Sequence, residues 1–114
     1  MINYPERLKE MTAGMGKLGK VIPGTVQAVG AMHQASFKPG ALDSKTKHLI
    51  ALGIGISARC DGCIASHVFD ALREGASREE IAETVSVAIL MGGGPSMVSG
   101  IEAMGAVDQF QEKA

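Results

Sequence analysis

Two cysteines stand three residues apart in the run Cys60-Asp61-Gly62-Cys63, and a histidine, His67, follows four residues later. Residues spaced three, four and seven apart share one helix face. If a helix starts near Cys60, both thiols lie in its first turn. There the unpaired backbone N–H groups and the positive end of the helix dipole stabilise a thiolate. Such a cysteine has a lowered pKa and reacts readily near neutrality. The two sulfurs can meet as a disulfide, and the imidazole can take a thiol proton or return one to a leaving group. One stripe of helix would then carry a nucleophile, a resolving thiol and an acid/base.

Two other chemistries fit the same residues. The cysteines can be small core side chains with no reactive role. Alternatively, Cys60, Cys63 and His67, with His48 as a fourth ligand, make a Cys2His2 set suited to zinc. Against zinc, there is no second CxxC or HxxxH, and the chain has enough helix to fold without a metal. His48 lies among apolar neighbours and reads equally as a buried, hydrogen-bonded histidine. His33 sits on a mostly apolar helix with no motif around it and is set aside.

The elements that must position these residues read as helices throughout. Leu8, Met11, Met15 and Leu18 recur at helical spacing between about Tyr4 and Lys20, although Gly14, Gly16 and Gly19 each weaken that helix by up to roughly 1 kcal/mol. Pro23 belongs at a first turn and opens a second helix to Phe37, with Val26, Val29, Gly30 and His33 on one face. Asp43 or Ser44 caps a third, from Lys45 to about Ala58. Its apolar residues wrap most of the circumference, which predicts burial on nearly all sides, in the core or against another subunit.

The fourth helix starts near Cys60 and closes at Gly75 as its C′ residue. Ser77 and Glu80 form a capping box for the fifth, which runs to about Met91 through Ile81, Val85, Ala88 and Ile89. Gly92-Gly93-Gly94 breaks it, and Pro95 opens a sixth to about Phe110, with Met97, Ile101, Met104 and Val107 on one side. The expectation is an all-α bundle of about six short helices. It forms one domain over residues 1–114, since 114 residues leave no room for a second.

Bulk composition excludes several function classes. A net charge of -1 and a pI near 6.3 offer no basic surface for nucleic acid or an anionic membrane. The longest uncharged apolar run, Leu49 to Ala58, is about half of a bilayer crossing. Neither a secretory leader at Met1–Arg7 nor a lipidation signal at Ile2 or at Glu112-Lys113-Ala114 is legible, so the expected compartment is the cytoplasm. A close cysteine pair there is more often catalytic or metal-binding than structural. Seven methionines and fifteen glycines suit helices that approach closely and adapt to one another, as in an oligomer.

Four stretches together resemble the AhpD-like alkylhydroperoxidase and carboxymuconolactone decarboxylase family. They are Leu42–Leu52, Cys60–His67, Gly75–Ile81 and Met91–Pro95, and the resemblance spans roughly Ala31 to Val107. It implies an all-helical homotrimer or homohexamer. It also implies a thiol peroxidase or disulfide reductase that works without metal, haem, flavin or other cofactor, on a peroxide or disulfide substrate and with an external dithiol reductant. By the same resemblance Cys63 attacks the peroxide, Cys60 resolves the sulfenic acid, and His67 relays protons. The family's peroxidases carry a glutamate twelve residues before the first cysteine. This chain has His48 there, which can relay a proton but brings no negative charge. The family's lactone decarboxylases lack the paired cysteines, so their retention here favours redox chemistry. The alternative in a different class is an oligomeric protein whose cysteines sense redox state without turnover.

Overall fold

Local capping chemistry sets most of the helix boundaries. In the computed structural model, which describes residues 1–112, six helices follow one another: α1 (Tyr4–Val21), α2 (Pro23–Phe37), α3 (Ser44–Ser57), α4 (Asp61–Arg73), α5 (Arg78–Gly92) and α6 (Gly94–Glu112). Lys113 and Ala114, part of the C-terminal tripeptide read for a lipidation signal, lie outside the described residues. Asn3, Asp43 and Ser77 accept backbone N–H groups of the first turns of α1, α3 and α5, and Ser77 with Glu80 completes the reciprocal capping box. Among the described residues there is no strand, and no helix is long and apolar enough to cross a membrane.

Helices α3 to α6 build the core around Leu52, Ile56, Ile64, Val68, Ile81 and Val107. Helix α1 lies across α4 and α6. It is pinned by Tyr4, whose hydroxyl donates to Glu102 (2.9 Å) and whose backbone N–H donates to Gln109 (2.7 Å). Burial, then the neighbouring Glu102 carboxylate, pushes the Tyr4 hydroxyl pKa up.

The packing sharpens the sequence reading in three places. Helix α3 is not buried on nearly all sides within one chain: His48, Leu52, Gly55 and Ile56 face the core, whereas Ile50 and Ile54 are 49% and 66% exposed. In α6 the core face is Ser96, Ser99, Gly100, Ala103, Ala106 and Val107, and Met97 and Ile101 point outward. Small side chains let α6 approach its neighbours closely, with Met104 and Phe110 packed at the margin of the core. Helix α2 buries no residue, and Val29, on the face it shares with Val26, Gly30 and His33, is half exposed.

Candidate functional site

The two cysteines are placed by a tight reversal between α3 and α4. The Cys60 N–H donates to Gly55 O (3.0 Å) and the Arg59 N–H to Ile56 O (3.0 Å), the paired bonds of a Schellman motif. Its left-handed position is held by Arg59, at φ 54°. The same motif ends α4, where Ala76 donates to Ala71 O and Gly75 to Leu72 O, and there the left-handed residue is the expected glycine, at φ 91°. A non-glycine residue in this conformation costs roughly 1–2 kcal/mol. The chain therefore carries backbone strain immediately before its first cysteine.

Cys60 is the N-cap of α4, with an extended backbone, and its Sγ accepts the Cys63 N–H at 3.1 Å. A sulfur in that position receives the hydrogen bond that stabilises a thiolate. Cys60 and Cys63 are joined as a disulfide, with their Cα atoms 5.2 Å apart. Both are partly exposed, so reagents reach them. Close approach of α3 is required here: a Cβ on Gly55 would lie 2.9 Å from the Cys63 Cβ. Arg7 of α1 reaches Asp61 at 3.4 Å, setting a cation beside the carboxylate inside the motif.

His67 and His48 meet. Their Nδ1 atoms are 3.4 Å apart, so one ring donates and the other accepts, according to tautomer. His48 is buried, and Phe37 stacks on it with ring centroids 4.1 Å apart and planes 9° from parallel. Asp70, one turn beyond His67, points Oδ2 at His48 Nδ1 (3.9 Å) and holds Arg73 through Oδ1 (3.2 Å). Burial pulls the pKa of both imidazoles down. The neighbouring His48 lowers His67 further, while Asp70 opposes the shift in each. Both shifts favour the neutral imidazole, the form that accepts a proton.

Of the four residues singled out from the sequence, Cys60 is the N-cap of α4, Cys63 and His67 lie within α4, and His48 lies on α3; the structure brings the two cysteines together and the two histidines together. His33 is exposed and stands behind Phe37 (4.5 Å), outside the pair. Sequence reasoning missed Asp70, Phe37 and Arg7. The spacing of His67 and Asp70 on one helix face could have found the first, but the others arrive from distant elements. The Cys2His2 zinc alternative is not the arrangement seen, because the cysteines are bonded to each other. The close group of potential metal ligands among the described residues is instead His48, His67 and Asp70.

Together these features define an all-helical protein with a disulfide at a helix N-terminus and, further along the same helix, a histidine that meets one from α3. The chain belongs to the carboxymuconolactone decarboxylase family, whose model matches residues 23–106. It is similar to a carboxymuconolactone decarboxylase family protein from Legionella pneumophila, with 37% identity, a TM-score of 0.91, and 94% of this chain and 96% of that one covered. A family protein from Thermotoga maritima with a suggested role in antioxidative response is 34% identical at a TM-score of 0.73, covering 78% of this chain and 92% of that one. An uncharacterized protein of Cupriavidus necator is 34% identical over 102 residues, 90% of each chain.

Proposed function

We propose that the protein is a thiol peroxidase and disulfide oxidoreductase of the cytoplasm. The observation that carries this reading is the Cys60–Cys63 disulfide at the α4 N-terminus, one turn before His67, which contacts His48. A bonded pair at a thiolate-stabilising position, reachable by reagents, is suited to cycle between dithiol and disulfide. The suggested antioxidative role of the Thermotoga maritima relative supports the same reading.

In the forward step, His67 takes the Cys63 proton. Cys63 rather than Cys60 receives this role by the resemblance to the family's peroxidases, in which the second cysteine of the motif attacks. The thiolate attacks the distal oxygen of a hydroperoxide and the O–O bond breaks. Cys63 becomes a sulfenic acid, and the departing alkoxide or hydroxide takes the proton back from His67. The Cys60 sulfur then attacks the Cys63 sulfur, forming the disulfide and releasing water. An external dithiol restores both thiols by exchange and is itself oxidised to a disulfide. His48 hands protons between His67 and its surroundings, the task of a glutamate in the peroxidases this chain resembles.

The active protein is a homotrimer or homohexamer. Ile50, Ile54, Val87 and Met91 leave an apolar groove between α3 and α5, and α2 has no buried residue, which suits faces that other subunits cover. The test of the peroxidase is reduced protein mixed with hydrogen peroxide or an organic hydroperoxide, followed by thiol titration and intact mass. Expected are loss of both thiols and of two hydrogen atoms in mass. Cys60→Ser should stop one oxygen heavier, at the sulfenic acid, and Cys63→Ser should form no intramolecular disulfide. Thiol loss no faster than that of free cysteine would reject the reading. A single oxidation that changes assembly without turnover would favour a redox sensor instead.

A further inference from the structure

We infer that His48, His67 and Asp70 form a three-ligand site for a divalent zinc-class ion, and that its occupancy withdraws both imidazoles from proton transfer. The second half rests on the proposed peroxidase function, whereas the first does not.

The geometry begins with the two Nδ1 atoms, 3.4 Å apart and facing each other. If both rings carry their hydrogen on Nε2, two lone pairs confront one another, and only a cation between them makes that arrangement favourable. With metal–nitrogen bonds of about 2.0–2.1 Å, two ligands of a tetrahedral zinc stand roughly 3.3–3.4 Å apart. The nitrogen separation therefore already matches that of two ligands on one ion, and a tilt of the rings turns both lone pairs onto it. Asp70 Oδ2 lies 3.9 Å from His48 Nδ1, and one ligand atom from each of the three residues fits within 4.8 Å of the others. Rotation of a carboxylate closes a gap of that size. Two imidazoles and one carboxylate are a donor set that zinc uses where it keeps an open coordination position.

The surroundings are those of a supported site. Arg73 occupies Asp70 Oδ1 and leaves Oδ2 free to point at His48. Phe37, stacked on His48, fixes the plane of its ring. His67 and Asp70 are three apart on α4, and α3 brings His48 from the other side, so a bound ion would tie two core helices together. Such outer contacts orient ligands and strengthen metal sites. No cysteine is needed. The site therefore differs from the Cys2His2 set legible in the sequence and is available while the disulfide is intact.

That last property sets the experiment, because free thiols bind zinc by themselves. The disulfide form of the full chain is stripped of metal with a chelator, which is then removed. It is titrated with zinc(II) against a chromophoric competitor, and with cobalt(II) followed by visible absorption. Expected are one equivalent per chain, the intense visible bands of tetrahedral cobalt, and at least tenfold weaker binding in Asp70→Asn and in His48→Asn. Exposed His33→Asn should bind as the parent does. Helical circular dichroism checks that each variant is folded, and Asp70→Asn, being nearer the surface, covers the case in which His48→Asn unfolds. No stoichiometric binding, or binding unchanged in both ligand variants, overturns the site whatever the protein's activity. Zinc binding at the site with no slowing of peroxide-driven disulfide formation in reduced protein overturns the withdrawal of the imidazoles. If the protein does not react with peroxide at all, the binding titration still decides the site.

Discussion

Gly55 is where the fold makes room for the redox pair, and replacing it by alanine tests that arrangement quantitatively. Two effects oppose each other. Alanine in a helix interior is favoured over glycine by about 1 kcal/mol. Against that, the new Cβ would lie 2.9 Å from the Cys63 Cβ, closer than such atoms come, so α3 must move away from α4. Overpacking of this kind costs about 1–3 kcal/mol. Gly14 is the internal control: it also lies within a helix, but a Cβ there meets nothing within 4 Å. For 114 residues the entropy of unfolding is about 0.24 kcal/mol per degree, so each kcal/mol shifts Tm by about 4 °C. Gly14→Ala should raise Tm by about 2–4 °C and Gly55→Ala should lower it by up to about 8 °C. Both are measured on the disulfide form by thermal circular dichroism at one protein concentration. Equal increases for the two variants would refute the claim that α3 and the Cys63 backbone are in enforced contact.

Three further outcomes follow from the same structure. Arg59→Gly should stabilise the chain by about 1 kcal/mol in urea unfolding, because it relieves the left-handed strain before Cys60; a loss of stability would deny that strain. In the presence of a chelator, stability should fall as pH drops below about 6.5, the ordinary histidine value. Both imidazoles have lowered pKa values in the folded state, so the unfolded chain binds more protons in that window. Thermal melts between pH 7.5 and pH 5, compared with His48→Asn, check the sign: the variant should show the shallower slope. In sedimentation the protein should run as a trimer or hexamer at micromolar concentration, and Ile54→Glu should weaken that assembly, since Ile54 is exposed beside the α3–α5 groove. A monomeric parent would remove the proposed interface.

Much of the fold was legible because its boundaries depend on local chemistry. Pro23, Asp43, Gly75 and the Ser77–Glu80 box announce their turns through side-chain caps and a left-handed glycine, and the structure uses each of them so. The stripe of Cys60, Cys63 and His67 was legible for the same reason, since helical spacing alone aligns it. What escaped depends on tertiary packing. Arg59 occupies a position where propensity expects glycine, because the two backbone hydrogen bonds that place Cys60 override the local preference. Helix α6 turns mostly small residues inward and leaves Met97 and Ile101 exposed, so it divides the side that hydrophobic size grouped with Met104 and Val107. Phe37 and His48 come from separate helices that meet only in the folded chain, so no spacing reveals their stack.

The most direct measurement of the central claim is the stoichiometry and rate at which reduced protein loses thiols to an organic hydroperoxide at neutral pH, with chelator present. The Cys60 and Cys63 thiols should disappear together as one intramolecular disulfide, much faster than free cysteine reacts. The reaction should repeat when a dithiol is supplied, and Cys63→Ser should abolish it. Thiols that react no faster than free cysteine, or that oxidise once and never turn over, would contradict that claim.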